Sequence, residues 1–323
     1  MEKVVMLIHP TIQPVGVEIL KENCRVVMAP DGREETLISY INENQAQAVI
    51  TRVEPITRKI IESCPSLKII GMHGVGMDHI DIPAATERGI WVLNVPDANY
   101  VSVAEHAMLF VLALSRRLLL ADRDVRSGNW ALRDKNIPNE IAEKSLLIIG
   151  LGRIGREVAA KAQAFRMKVY GFDEYVSREQ MEAVGVEKIE DFHQALAMAD
   201  YVTIHAPLTP ETRHMFSTEQ FRVMKPSAYL INMARGPLVD GAALCQALQT
   251  GEIAGAALDV MEAEPPEQDD PLLACPNLIV TPHTGGDTIE AKLRCSSTLA
   301  RTVVEALEGK MPYNFVNRRA LGL

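Results

Sequence analysis

Residues Ser145-Leu146-Leu147-Ile148-Ile149-Gly150-Leu151-Gly152-Arg153-Ile154-Gly155 set an apolar strand against a glycine loop and run straight on into a helix pattern. No other stretch constrains the fold as tightly, because a G-x-G-x-x-G loop after a strand demands a βαβ unit with a close backbone turn. Gly150 makes the turn, Gly152 lets the backbone approach a pyrophosphate, and Gly155 lets helix pack on strand. The phosphates then sit at a helix N-terminus, whose N–H groups favour an anion. A bare glycine turn in an ordinary βαβ unit has the same pattern. Here, however, a second strand, Lys168-Val169-Tyr170-Gly171-Phe172, follows the helix and delivers Asp173 at the spacing of a ribose-binding carboxylate. Asp173 would repel a phosphate on that ribose, and Glu174 adds a second negative charge, so NAD is expected rather than NADP. The glycine loop alone leaves a flavin dinucleotide open.

Short apolar runs recur with helical patterns between them: Ser145–Ile149, Lys168–Phe172, Tyr201–Ile204, Ala228–Asn232, Ala254–Asp259 and Leu278–Val280. They lack polar alternation, as strands covered on both faces do, and together complete a doubly wound sheet. The first part of the chain repeats the theme with Val4–Ile8, Arg25–Met28, Ala48–Ile50, Leu67–Gly71 and Trp91–Leu93. The predicted fold is α/β, with two doubly wound parallel-sheet domains and a cleft between them. A Rossmann dinucleotide-binding domain would span residues 99–287, and a flavodoxin-like substrate domain residues 1–98 plus 288–323. An apolar helix from Ser102 to Leu120 would cross between them, and one from about Thr288 to Glu308 would return to the first domain.

Composition narrows the class. A length of 323 residues suits two domains, and a formal net charge of −9 without Lys/Arg-rich runs argues against nucleic acid as a partner. The cysteines (Cys24, Cys64, Cys245, Cys275, Cys295) are scattered and include no C-x-x-C pair, which indicates neither a disulfide framework nor a zinc site and fits a reducing cytoplasm. His73, His79, His106 and His205 have no metal-ligand spacing, and His106 on its apolar helix reads as a core residue. The N-terminus carries no signal-peptide pattern, and the longest apolar stretches, such as Ala107 to Leu114, are too short for a membrane span.

Three strand-end segments could carry chemistry: Ile231-Asn232-Met233-Ala234-Arg235-Gly236, Asp259-Val260-Met261-Glu262-Ala263-Glu264-Pro265-Pro266 and Thr281-Pro282-His283-Thr284-Gly285-Gly286. Arg235 offers a two-pronged donor that matches the carboxylate of a 2-oxo acid. His283 could give a proton to the adjacent carbonyl oxygen and take it back in reverse. Glu264 beside it would orient the ring. Singly, such residues are more often surface, loop or cap residues; at successive strand ends the joint reading is catalytic.

These segments resemble the D-isomer-specific 2-hydroxyacid dehydrogenases, most nearly their phosphoglycerate dehydrogenase branch. The likeness also covers Gly74-Val75-Gly76-Met77-Asp78-His79-Ile80-Asp81, Ser102-Val103-Ala104-Glu105-His106 and Ala256-Ala257-Leu258-Asp259-Val260. It implies Arg235 as ligand of substrate carboxylate and carbonyl, His283 as acid/base and Glu264 as its partner. Arg153 and Ile154 would meet the pyrophosphate and Asp173 the ribose. Val75, His205, Ala206, Pro207, Met233, Ala234, Asp259 and Gly285 would add cofactor contacts, as would Arg235 and His283. Backbone N–H groups around His73, Gly74, Val75 and Gly76 would receive the substrate carboxylate. A homodimer through the helix from Ser102 is also implied.

The chain departs from that branch at Met72, where an Arg that helps bind a far phosphate is usual, while Arg52 matches a second substrate-side Arg. One remaining cation suits a smaller or less charged acid such as hydroxypyruvate or glyoxylate. The sequence ends at Leu323, so serine feedback through a C-terminal domain is not expected. The expected activity is NAD-dependent interconversion of a 2-oxo acid and a D-2-hydroxy acid. The alternative is an NAD(H)-sensing, corepressor-like binding protein.

Overall fold

The computed structural model describes residues 2–8, 12–130, 135, 137–275 and 277–323. It divides into two compact units, Met1–Asn99 with Asp287–Leu323, and Tyr100–Gly286.

In the first unit, β1 (Val4–Ile8), β2 (Arg25–Ala29), β3 (Ala48–Thr51), β4 (Ile69–Met72) and β5 (Trp91–Leu93) form a parallel sheet in the order β2-β1-β3-β4-β5. β1 is apolar throughout and every residue in it is buried, as a central strand covered on both faces requires. The helix Ile289–Leu307 begins at Thr288, whose hydroxyl accepts the Ala291 N–H at 3.1 Å. It lays Cys295, Leu299, Ala300 and Val303 toward β4, β5 and the helix Pro14–Asn23. Burying each leucine or valine contributes on the order of 2 kcal/mol. The two helices meet at Gly16, where a side chain would lie 2.8 Å from the Ser296 carbonyl oxygen.

In the second unit, β6 (Ser145–Ile149), β7 (Lys168–Phe172), β8 (Glu187–Lys188), β9 (Tyr201–Ile204), β10 (Tyr229–Asn232), β11 (Gly255–Leu258) and β12 (Leu278–Val280) form a parallel sheet ordered β12-β11-β10-β9-β6-β7-β8. Alternate residues of β6 serve opposite layers. Leu146 and Ile148 pack with the helices Tyr100–Ser115 and Arg153–Ala164, whereas Leu147 and Ile149 pack with Phe216 and Phe221. The helix Arg153–Ala164 buries Gly155, Val158, Ala159 and Ala162, one stripe at helical spacing. Register sets the functional edge. Ile149 lies opposite Phe172 and Ile204, Asn232 opposite Leu258, and Leu258 opposite Val280. The residues that follow, Gly150, Asp173, His205, Met233, Asp259 and Thr281, therefore leave the sheet along its C-terminal edge.

Two sequence expectations need correction. The helix expected from Ser102 to Leu120 is two helices, Tyr100–Ser115 and Leu118–Arg126, broken where Arg117 turns left-handed at φ 50°. The Ser115 hydroxyl donates to the Asn139 carbonyl at 2.6 Å, tying the first helix end to a distant loop. β8 was not expected, because a two-residue strand of Glu187 and Lys188 carries no apolar run. No helix among the described residues is long and apolar enough to cross a membrane.

Candidate active site

The glycine loop is fixed by close approach. Gly150 sits at φ 90° and donates its N–H to the Phe172 carbonyl at 3.0 Å. A side chain there would lie 2.8 Å from the backbone of His205 and Ala206, so both conformation and space require glycine. A side chain at Gly155 would strike the Gly150 carbonyl. Gly152 is different: it begins the helix Arg153–Ala164 with no side-chain cap, and a Cβ there would meet nothing within 4 Å. That end of the helix faces open space, with Arg153 exposed and Ile154 half-buried beside it. Asp173 accepts the N–H groups of Leu151 (2.8 Å), Tyr175 (2.8 Å) and Val176 (3.2 Å), which anchors its carboxylate to the glycine loop. An open helix N-terminus, a flat glycine approach and an anchored carboxylate fit a dinucleotide with an unphosphorylated ribose.

His205 follows β9 with its ring held inside the fold. Its Nε2 lies 3.0 Å from the Thr203 hydroxyl, its Nδ1 is buried without a protein partner, and burial pushes its pKa down to about 3. The ring is a neutral group, and the backbone of His205 and Ala206 closes on Gly150, with Pro207 exposed after them.

Buried Asp259, at the end of β11, organises the segment that carries His283. Its carboxylate accepts the Thr281 hydroxyl, the Thr284 N–H at 2.9 Å and the Gly285 N–H at 2.7 Å, while its carbonyl accepts the His283 N–H at 2.8 Å. A side chain on Gly285 would lie 2.7 Å from that carboxylate and would also strike the Met233 side chain. His283 is thereby held at φ 54°, a left-handed conformation that histidine adopts more readily than most residues. Its Nδ1 lies 2.7 Å from Glu264 Oε2, and the other Glu264 oxygen accepts the Met261 N–H at 3.1 Å. This leaves Nε2 as the outward nitrogen of a half-exposed ring.

Arg235 leaves β10 on a turn built by Asn232, whose amide accepts the Ala234 N–H at 3.0 Å and donates to the Arg235 carbonyl at 2.9 Å. One Arg235 nitrogen donates to the Ala234 carbonyl at 2.8 Å. Gly236 presses this turn against the Met261–Glu262 backbone with no room for a side chain. Arg235, Glu264 and His283 thus stand on turns that follow three adjacent strands. Sequence reasoning missed the supporting roles of Asn232 and Thr281. A buried-side amide two residues before Ala234, and a hydroxyl two before His283, were the available signals.

In the first unit, the Thr51–Met72 pairing brings Arg52 beside His73. Two of the four N–H groups expected to face a carboxylate are otherwise engaged: His73 donates to Thr51 at 2.8 Å and Gly74 to Met72 at 2.9 Å. The Val75 carbonyl accepts the Asn94 side chain at 2.9 Å, which steadies the Val75–Gly76 turn. The His73 ring is buried, with Nε2 2.9 Å from the Ser296 hydroxyl, and burial, aided by the Arg52 charge, pushes its pKa down to about 4. Arg52 is not a lone cation: one guanidinium nitrogen lies 2.7 and 2.6 Å from the two carboxylate oxygens of Asp287. Burial opposes ionisation of Asp287, but its hydrogen bond to Arg52 and the charges of Arg52 and Lys292 hold it below the usual carboxylate range.

A nucleotide-binding α/β unit with an Arg, Glu and His on consecutive strand ends defines a class of dinucleotide-dependent proteins. Residues 108–285 match the model of the D-isomer specific 2-hydroxyacid dehydrogenase NAD binding domain. The chain is 41% identical over 313 residues to D-3-phosphoglycerate dehydrogenase of Methanocaldococcus jannaschii, covering 97% of this chain and 59% of that one. It is 38% identical over 317 residues to glyoxylate reductase of Thermofilum pendens, covering 95% and 92%. Among solved structures, D-lactate dehydrogenase of Aquifex aeolicus, complexed with NAD and lactic acid, superposes with a TM-score of 0.86 at 30% identity over 97% of this chain and 99% of that one. The chain therefore belongs to the D-isomer-specific 2-hydroxyacid dehydrogenase family, and its second unit is the NAD-binding domain. It spans about three fifths of the length of the phosphoglycerate dehydrogenase relatives it matches.

Proposed function

We propose that this protein is an NAD-dependent dehydrogenase that reduces a small 2-oxo acid to the D-2-hydroxy acid, or runs the reverse. The observation that carries the reading is the 2.7 Å contact between His283 Nδ1 and Glu264, next to the Arg235 turn on the same sheet edge. Bound NADH supplies the hydride. Arg235 holds the substrate carboxylate and polarises the carbonyl, which fixes the reacting carbon in one orientation. Glu264 keeps the proton of His283 on Nδ1 in the neutral ring and stabilises the charged one, so Nε2 delivers a proton to the carbonyl oxygen as it gains charge. Asp259 keeps that histidine in place through its carbonyl and its hold on the Thr284 and Gly285 N–H groups.

The names of the relatives quoted above are those of dehydrogenases and reductases, which favours catalysis over NAD sensing. We place the working form as a homodimer joined through the helices Tyr100–Ser115 and Leu118–Arg126, where Leu109, Leu118, Leu119 and Val125 are exposed. The cysteines are all free thiols, in keeping with a reducing, cytoplasmic setting.

The test is NADH oxidation against hydroxypyruvate, glyoxylate, pyruvate and 3-phosphohydroxypyruvate, with His283→Gln alongside. The variant should lose roughly 10²–10⁴-fold in kcat while its NADH affinity changes little. Turnover at the wild-type rate would remove His283 from the proton-transfer role, and silence of the wild type on every acid would end the dehydrogenase reading.

A further inference from the structure

Arg52 and Asp287 are 235 residues apart in sequence and form the tightest side-chain ion pair among the described residues of the first unit. Lys292, in the first turn of the helix Ile289–Leu307, places its Nζ 3.3 Å from the same carboxylate. On the other side of Arg52, a Glu54 oxygen accepts the Arg52 and Val53 N–H groups at 3.3 Å each. The Arg52, Asp287 and Lys292 side chains keep 37%, 29% and 31% of their exposure, so a small solute reaches them. The group stands on the C-terminal edge of the sheet beside the turn after β4, and its neighbours Met72 and neutral His73 add no cation.

Two cations, Arg52 and Lys292, face the Asp287 carboxylate, and the Glu54 carboxylate, held by backbone N–H groups next to Arg52, brings the formal charge of the four residues to zero before anything binds. A phosphate approaching Arg52 must displace or share Asp287 and so meets like charge at short range. A hydrogen or a hydroxymethyl group at the same place meets no such opposition.

We infer that Asp287 is a specificity-determining residue that occupies Arg52 and Lys292 and so turns these two cations away from 2-oxo acids bearing a second, phosphate-type anionic group, in favour of small unphosphorylated ones. The inference rests on the dehydrogenase reading above, with Arg52 as a substrate-side residue, and names the substrate class of that reading.

Wild type, Asp287→Asn, Asp287→Glu and Lys292→Gln are compared on hydroxypyruvate and 3-phosphohydroxypyruvate with NADH, and by calorimetric titration with inorganic phosphate, which needs no turnover. Asp287→Asn should raise the ratio of kcat/KM for the phosphorylated over the unphosphorylated acid by about tenfold or more and tighten phosphate binding by a similar factor. Asp287→Glu should keep the wild-type ratio, and Lys292→Gln should lower it. A ratio that does not rise in Asp287→Asn overturns the inference, as does a wild type that already prefers the phosphorylated acid. If no acid is turned over, the dehydrogenase reading fails by itself and the phosphate titration decides: tighter binding by Asp287→Asn upholds the charge screen, and equal binding ends it.

Discussion

Single side chains in this protein are set by what they are buried with as much as by type. His73 shows it in a form that acid can read out. An unfolded histidine titrates near 6.5, whereas burial, aided by the Arg52 charge, lowers the pKa of His73 in the fold to about 4. Below the unfolded value the unfolded chain binds more protons, so stability is full above that point and is lost as pH falls toward the folded one. The span corresponds to on the order of 3 kcal/mol for this site. Thermal unfolding followed from pH 7 to about pH 5 should show a falling Tm, and His73→Gln should flatten that slope; an equally steep slope in the variant would place the sensitivity elsewhere, with His205 the next candidate. At this scale the sequence was legible where a residue acts through a local pattern. Gly150, Gly152, Gly155 and Asp173 declare themselves by spacing along one βαβ unit. The engagement of Arg52 by Asp287 and the inward turn of His205 depend on partners brought together only by the fold, and no local spacing announces them.

Elements place the candidate chemistry through their ends. Arg235 follows β10, Glu264 lies beyond β11 and His283 follows β12, and the parallel register aligns these three ends. The turns are also pressed on one another at Gly236, where added volume would fall on the Met261 backbone. Gly236→Ala should therefore destabilise by about 1–3 kcal/mol and lower kcat by moving Arg235 relative to Glu264, which urea unfolding and steady-state assays would measure side by side. Normal stability and turnover would show that the two turns separate without cost. Strand positions were readable because fully covered strands are continuous apolar runs, as in Ser145–Ile149. The break at Arg117 was not, since neither glycine nor proline marks it and a left-handed arginine has no signature in the sequence.

For the whole molecule, the division into Met1–Asn99 with Asp287–Leu323 and Tyr100–Gly286 means that one unit is continuous in sequence and the other is not. The continuous unit holds its own sheet with apolar layers on both faces. A fragment of residues 100–286 should fold cooperatively and bind NADH, with saturation at about a hundredfold over Kd adding about 2.7 kcal/mol to its stability. A fragment that stays unfolded, or folds without nucleotide affinity, would show that this unit depends on the rest of the chain. The first unit is closed by contacts across its gap, such as the Arg294 guanidinium donating to the Ala98 carbonyl at 3.0 Å. In genetic terms the chain is a host gene carrying a cassette: splice points near Asn99 and Asp287 would let the nucleotide module be exchanged for one of different cofactor preference while the Arg52–Asp287 pair travels with the host, so that cofactor and acid selectivity could be recombined as separate traits.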